Sequence, residues 1–405
     1  MIKTISVKQI RNGMYIHDLN CSWLEHPFAR NQFKITDSAD IKKLLKSGIK
    51  TLKIDTDKGL DIEANSEQTK QPAEQNASSV SNTPPGTAPH NRKKPQNLKA
   101  VRTKAKDIKK QAEGLISTIM SDVKLGQQVK MKEVTSIVNN MSESVLDNHN
   151  ALLGLSRIRH WDAYTFEHSV NIGVLMMSFA KSRSMPETVI HDVGVGGFLH
   201  DIGKTLTPDE ILNKPDKLTD DEFVIMRRHV VDSRIILEKT PGINQNALDV
   251  AALHHEKYDG SGYPNGWKGD QISEIGQMSA IVDVYDALTA DRCYHKGQDP
   301  SVVLKRMLSW AGSHFNPQLL QEFIQCVGIY PPATLVMLNK KYLAVVYETG
   351  KNLLMPKIII FLNTRTRETI EPKLIDLAGQ DKYKITSSES DQQWNVDPQK
   401  YLDLV

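Results

Sequence analysis

Five histidines and two aspartates constrain this chain more than any other feature: His168, the pair His200-Asp201, His229, the pair His254-His255, and Asp283. All fall in a stretch of helical apolar spacing from Asp162 to about Val327. Seven nitrogen and oxygen donors on helices joined by short loops suit iron, manganese or another mid-row divalent metal. The cysteines offer no competing site. Cys21, Cys293 and Cys326 are odd in number, far apart and without a Cys-x-x-Cys spacing, which argues against a disulfide framework and against a thiolate zinc centre.

Each member is weak by itself. His168 alone reads as a core histidine on a helix expected over Asp162 to Lys181, and Arg227-Arg228-His229 alone reads as an exposed helix face. The dipeptide His-Asp occurs three times, at His17-Asp18, His191-Asp192 and His200-Asp201, so it selects nothing without context. The third copy follows the apolar segment Val193 to Leu199 and leads into Ile202-Gly203-Lys204, where glycine permits a sharp turn and lysine can face an anion. His254-His255 follow an apolar run and precede Glu256-Lys-Tyr-Asp-Gly-Ser-Gly-Tyr-Pro264, which sets paired imidazoles beside a rigid loop. Asp283 lies in the apolar helix Met278 to Leu288, where an unpaired carboxylate is costly and metal ligation compensates. Asp286, one turn on, is a candidate partner for a ligand.

Around this body the chain changes character. With 405 residues, 39% of them hydrophobic, it has material for two or three compact domains. Residues 1–62 read as a small α/β module, with a helical stretch from Ser38 to Ser47 and a strand from Ile49 to Ile54 that alternates at period two. Residues 63–98 are polar and poor in large apolar side chains, as expected of a flexible linker. Residues 99–158 are leading helices, with apolar positions at Ile108, Leu115, Ile119, Val123, Val129, Val134, Ile137, Val145 and Leu152. The helical body occupies 159–327, broken by turns near Pro215, Pro241 and Tyr258 to Gly269. A β-rich extension, 328–405, contains the runs Thr334 to Leu338, Tyr342 to Tyr347 and Lys357 to Leu362.

Nine Lys or Arg lie between Asn91 and Lys110, but no aromatic residues interleave for base stacking, so the run reads as the solvated start of a helix and DNA is not an expected partner. A net charge of +3 agrees. Neither a signal peptide pattern nor an apolar run near ~20 residues is present, which leads to the expectation of a cytoplasmic chain with no membrane partner.

The order His168, His200-Asp201-Ile-Gly-Lys204, His229, His254-His255-Glu-Lys-Tyr-Asp-Gly-Ser-Gly-Tyr-Pro264 and Asp283-Val-Tyr-Asp-Ala-Leu-Thr289 resembles the HD-GYP branch of the HD phosphohydrolases, over roughly Arg159 to Val327. The resemblance implies a mainly α fold, an all-helical HD-type metal-binding bundle carrying the α/β module and β-rich extension at its ends. It also implies a phosphodiesterase that hydrolyses cyclic di-GMP to linear pGpG, with cleavage on to GMP left open. In that family the His and Asp positions bind two divalent ions, with Asp201 bridging them. One ion would take His168, His200 and Asp283, the other His229, His254 and His255. Lys204 contacts the substrate phosphate, and Gly262-Tyr263-Pro264 belongs to the signature loop at the substrate.

Basic residues after the Asp283 helix hold the second phosphate or a guanine edge in the family. Arg292 matches and Lys296 follows, although Cys293 and His295 break the usual order. Some members recruit a third ion with a carboxylate one turn before the first histidine; Tyr164 stands there, so two ions are expected, with Glu167 as the nearby acid. Asn316-Pro317 is expected to start a helix, as N-cap and N1. The first module, chiefly through Val7 to Tyr15, resembles the small domain often found ahead of HD-GYP domains in proteobacteria.

Two rival readings stand beside this one: a phosphodiesterase acting mainly on 3′,3′-cyclic GMP-AMP, and a non-hydrolytic sensor that signals to a protein partner through the GYP loop. The complete ligand set favours hydrolysis. A nucleotidase from the wider HD group is disfavoured by the paired histidines and the GYP loop. The leading helices also suggest a homodimer.

Overall fold

Alternation of buried and solvated side chains builds the first of two units, Met1–Gln96 and Asn97–Val405. The computed structural model describes residues 2–18, 33–37, 41–42, 44–45, 51–61, 98–156, 164–214, 216–290 and 297–404. In the first unit, β1 (Ile2–Ser6), β2 (Tyr15–Asp18), β3 (Phe33–Lys34) and β4 (Thr51–Asp55) form an antiparallel sheet in the order β1-β4-β2-β3. Ile5, Ile16, Leu52 and Ile54 bury one face against Met14, Ile35 and Leu44. The strand expected from Ile49 begins at Thr51 among the described residues, and only 41–42 and 44–45 of the expected helix are described, both helical. The linker expected at 63–98 lies outside the described residues except for Leu98, which is already helical.

The second unit begins with α1 (Leu98–Lys124) and α2 (Met131–Ser156). On α1 the buried stripe runs Ala105, Ile108, Ala112, Ile116, Ile119 and Val123. The 3.6-residue period therefore selects Ile116, and Leu115 sits half-buried at the edge. The basic run is partly paired, Lys104 with Glu143 at 4.0 Å, Lys106 with Asp403 at 2.6 Å and Lys109 with Glu113 at 3.6 Å.

Next come α3 (Tyr164–Ser182), α4 (Glu187–Leu199), the short α5 (Asp209–Leu212), α6 (Asp220–Glu238), α7 (Gln245–Leu253), α8 (Glu274–Thr289), α9 (Pro300–Ser309) and α10 (Pro317–Val327). Helix α3 is apolar on nearly every side and central: Val170, Ile172, Val174, Leu175, Met176, Met177, Phe179 and Ala180 are all buried. Phe323 of α10 meets Phe179 and Tyr285 edge-on at 5.3 and 5.2 Å, locking α3, α8 and α10 together. Thr219 and Glu222 close a capping box on α6, and Asn316 caps α10 with Pro317 in its first turn, as the sequence suggested.

The chain ends in an antiparallel sheet ordered β8-β7-β6-β5-β9, from β5 (Leu335–Leu338), β6 (Tyr342–Glu348), β7 (Lys357–Asn363), β8 (Glu368–Asp376) and β9 (Ile385–Glu389), then α11 (Asp391–Trp394) and α12 (Pro398–Leu402). Leu343, Val345 and Ile359 bury one face of this sheet and Ala344, Val346 and Ile358 the other. Among the described residues no helix is long and apolar enough to cross a membrane.

Candidate metal centre

Five helices deliver the seven donors. His168 lies in the first turns of α3, His200 is the C-cap of α4 with Asp201 after it, and His229 lies mid-α6. His254 is the C-cap of α7 with His255 next, and Asp283 lies mid-α8. The sequence distributes them over more than a hundred positions, yet six are nearly inaccessible: His200 0%, Asp201 1%, His254 1%, His229 2%, His168 3% and Asp283 7% exposed. His255 stands at the mouth, with 26% of its side chain exposed.

Three groups of ligand atoms lie within 4.8 Å of one another: His168, His200 and Asp283; His229, His254 and His255; and His200, Asp201 and His254. The third group joins the other two through His200 and His254, and brings in Asp201. Its Oδ2 faces His200 Nε2 at 3.2 Å and His168 Nε2 at 3.6 Å, while its Oδ1 faces His229 Nε2 at 3.4 Å and His254 Nε2 at 3.8 Å. Asp283 spans the other side, 3.3 Å from His168 Nε2 and 3.7 Å from His255 Nδ1.

The imidazoles are aimed by their second nitrogens. Nδ1–H of His200, His229 and His254 donates to the carbonyl three residues back, of Gly197 (2.8 Å), Met226 (2.6 Å) and Ala251 (2.9 Å). His168 uses a side chain instead, with Nδ1 2.7 Å from Asp286 Oδ2. The three backbone tethers each leave an Nε2 lone pair pointing inward. Consequently Nε2 of His200, His229 and His254, and Oδ1 of Asp201, are buried with no hydrogen-bond partner among the described residues. Converging lone pairs and carboxylate oxygens repel one another unless a cation lies between them, so the donor set fits bound metal.

The electrostatics run the same way. Burial disfavours charge on Asp201 and Asp283, but the neighbouring His200 and Lys204 hold Asp201 well below the usual carboxylate range, and His168 does the same for Asp283. Desolvation opposes the charged form of His168, yet the hydrogen bonds it donates to Asp283 and Asp286 raise it to about 9. Removal from bulk water pushes His255 down to about 4 and lowers His229 and His254.

Lys204 Nζ lies 2.5 Å from Asp201 Oδ2 with a quarter of its side chain exposed, so it faces both the centre and its opening. Gly203 lies in the tight turn Ile202–Leu206 without entering the left-handed region. What requires glycine is close approach: a Cβ would lie 2.2 Å from the His229 carbonyl, and its N–H donates to Ser233 Oγ at 2.8 Å. Gly262 is equally tight, with a Cβ position 2.3 Å from Lys257 N. The adjacent Tyr263 ring lies on His255, centroids 4.8 Å apart, and Pro264 is exposed beyond it. Glu256, whose role no sequence motif indicates, is 2% exposed and accepts from Asn265 N at 2.8 Å, bracing this loop from beneath.

The structure thus brings His168, His200, Asp201, Lys204, His229, His254, His255, Gly262, Tyr263 and Asp283 to one centre. Arg292, Lys296 and Cys293 lie outside the described residues, as do Cys21, Asp162 and Pro215. The carbonyls of Gly197, Met226 and Ala251 carry no sequence signal, since any residue supplies one. Of the other His-Asp pairs, His191-Asp192 sits on α4, where Asp192 accepts from Asn246 of α7 at 3.2 Å.

Comparison with known proteins gives a domain of unknown function (DUF3391) over residues 2–134 and an HD domain over 132–319. A Pseudomonas aeruginosa protein named cyclic di-GMP phosphodiesterase PA4108 is 37% identical over 403 residues, covering 98% of this chain and 94% of that one. Two Vibrio cholerae proteins align over a shorter region. One, named a probable cyclic di-GMP phosphodiesterase, is 42% identical over 144 residues, 34% of this chain and 33% of its own. The other, named 3′3′-cGAMP-specific phosphodiesterase 2, is 42% identical over 128 residues, 31% and 24% of the two chains. With identity sustained across nearly its full length and the HD and GYP motifs in place around one buried centre, the chain belongs to the HD-GYP family of HD-domain proteins.

Proposed function

We propose that this chain is a metal-dependent phosphodiesterase that opens cyclic di-GMP to linear pGpG. The observation carrying the reading is Asp201, buried between two imidazole pairs with one oxygen turned to each, among Nε2 atoms that no protein hydrogen bond satisfies. His168, His200 and Asp283 would hold one divalent ion and His229, His254 and His255 a second, with Asp201 between them. Iron or manganese suits such donors. Two such ions, when bound, supply an activated water and neutralise charge on the phosphoryl oxygens.

The chain's own groups hold the substrate. Lys204 presents an ammonium to a phosphate oxygen beside Asp201. Tyr263, whose hydroxyl burial and the nearby Asp283 and Asp201 push up, stays protonated and serves as a donor. Arg292 and Lys296 take the second phosphate in this reading. Residues 159–327 are then the catalytic domain, with 1–62 and 328–405 flanking it. The GYP loop, with Trp267 38% exposed, offers a contact for a signalling partner, α1 and α2 a surface for a homodimer, and the cytoplasm is the compartment.

Support for the substrate comes from the name of the Pseudomonas aeruginosa relative. The Vibrio cholerae relative named for cGAMP favours a second reading, turnover of 3′,3′-cyclic GMP-AMP. Protein loaded anaerobically with iron or manganese should open cyclic di-GMP faster than cyclic GMP-AMP, and Asp201→Ala should open neither. Metal binding without cleavage of either would replace the enzyme with a sensor.

A further inference from the structure

Helix α6 carries more than His229 to the centre. Six residues N-terminal to His229 on α6, Phe223 leaves 44% of its surface exposed. The Arg227 guanidinium lies over the Phe223 ring at 5.2 Å and over the Tyr263 ring at 5.7 Å. The two rings meet edge to face, centroids 6.1 Å apart. Tyr263 in turn lies on His255, so Arg227 stands one aromatic ring beyond the mouth of the metal centre. Among the described residues no hydrogen bond or ion pair engages the guanidinium. Its planar set of donors is oriented by two rings and otherwise uncommitted.

An oriented guanidinium beside an exposed aromatic face matches the chemistry of a purine: the ring offers a stacking surface, and the fork fits two adjacent acceptors on a base edge. Guanine presents such a pair, O6 and N7, whereas adenine replaces O6 with an amino donor. A phosphate would use the guanidinium but has no need of the exposed ring. We propose that Phe223 and Arg227 form the nucleobase subsite of this centre, Phe223 stacking on a guanine and Arg227 donating to its O6 and N7. The inference rests on the proposed turnover of cyclic dinucleotides, and it makes these two residues the determinants of base preference.

The test compares wild type, Phe223→Ala and Arg227→Gln, each with its metal content measured. Each is assayed on cyclic di-GMP, cyclic di-AMP and the base-free diester bis(p-nitrophenyl) phosphate, with equilibrium binding of both dinucleotides to chelator-treated protein as a second readout. Arg227→Gln should lower kcat/KM for cyclic di-GMP, relative to bis(p-nitrophenyl) phosphate, about tenfold or more, and should narrow the preference for cyclic di-GMP over cyclic di-AMP. Phe223→Ala should lower both dinucleotides together by a similar factor relative to the base-free diester. Equal loss on all three substrates would make α6 merely structural here and overturn the subsite. Loss by Arg227→Gln that is equal for both dinucleotides would assign the guanidinium to phosphate and overturn base reading. If wild type turns over or binds cyclic di-GMP and neither variant changes anything, the subsite falls alone. If wild type neither binds nor opens any dinucleotide, the proposed function falls with it.

Discussion

A buried imidazole presents one nitrogen to a ligand when the other is held, and here a hydrogen bond holds Nδ1 of four of the rings. The Asp286 carboxylate holds His168 Nδ1 at 2.7 Å and is itself 1% exposed. Asp286→Ala should therefore weaken metal binding about 10–100-fold without removing a donor, as read by titration against a competing chelator. Unchanged affinity would mean that packing alone aims the ring. The same residues set the pH response of metal-free protein. His168, raised to about 9, keeps a proton that the unfolded chain releases near 6.5; its contribution to stability is full below 6.5 and lost as pH rises through 9. His255, lowered to about 4, refuses a proton that the unfolded chain accepts; its contribution is full above 6.5 and lost as pH falls towards 4. His229 and His254 share the second sign. Chelated protein should melt highest near pH 6.5 and lower at both pH 5 and pH 9 in calorimetry. A melting temperature that climbs steadily from pH 6.5 to 9 would contradict the ion pairing of His168.

At the scale of elements, the centre depends on how closely a turn and a loop approach the helices. Gly203 brings the turn after Asp201 against α6, and a methyl group there collides with backbone rather than with a movable side chain. Gly203→Ala should cost about 1–3 kcal/mol and shift Asp201 away from His229, seen as a lower melting temperature together with reduced metal content. The GYP loop is held by Glu256 through Asn265 N. Glu256→Ala should reduce kcat/KM for the dinucleotide about tenfold, the scale of one buried hydrogen bond, and Glu256→Gln, which retains the acceptor, should recover most of it. Equal loss in both variants would show that the charge matters rather than the brace. Elements differ in how visibly the sequence announces them. β6 and β7, buried on both faces, read as continuous apolar runs, whereas β8 has a mostly solvated pattern and β9 is half-buried, so neither stood out. Hydropathy reports burial, and edge strands have little of it.

Over the whole molecule, every donor of the centre lies in the unit Asn97–Val405. A chain of residues 97–405 should bind the same number of metal ions as the full protein, measured by elemental analysis; a shortfall would mean that the first unit supports the centre. Within the second unit the chain's end returns to its start. Arg102 of α1 lies over the Tyr347 ring at 4.2 Å and donates to the Leu402 carbonyl, and Lys106 pairs with Asp403. The sequence by itself determined the mainly helical body, the order of the seven donors and the capping of α10, because helical period, metal-ligand chemistry and cap geometry are written in residue type and spacing. Only the tertiary structure decided that Asp201 faces both imidazole pairs, that backbone carbonyls aim three of the rings, and that Phe223 and Arg227 stand beside Tyr263. Those relations join segments far apart in the chain, and their distances follow from how the helices pack.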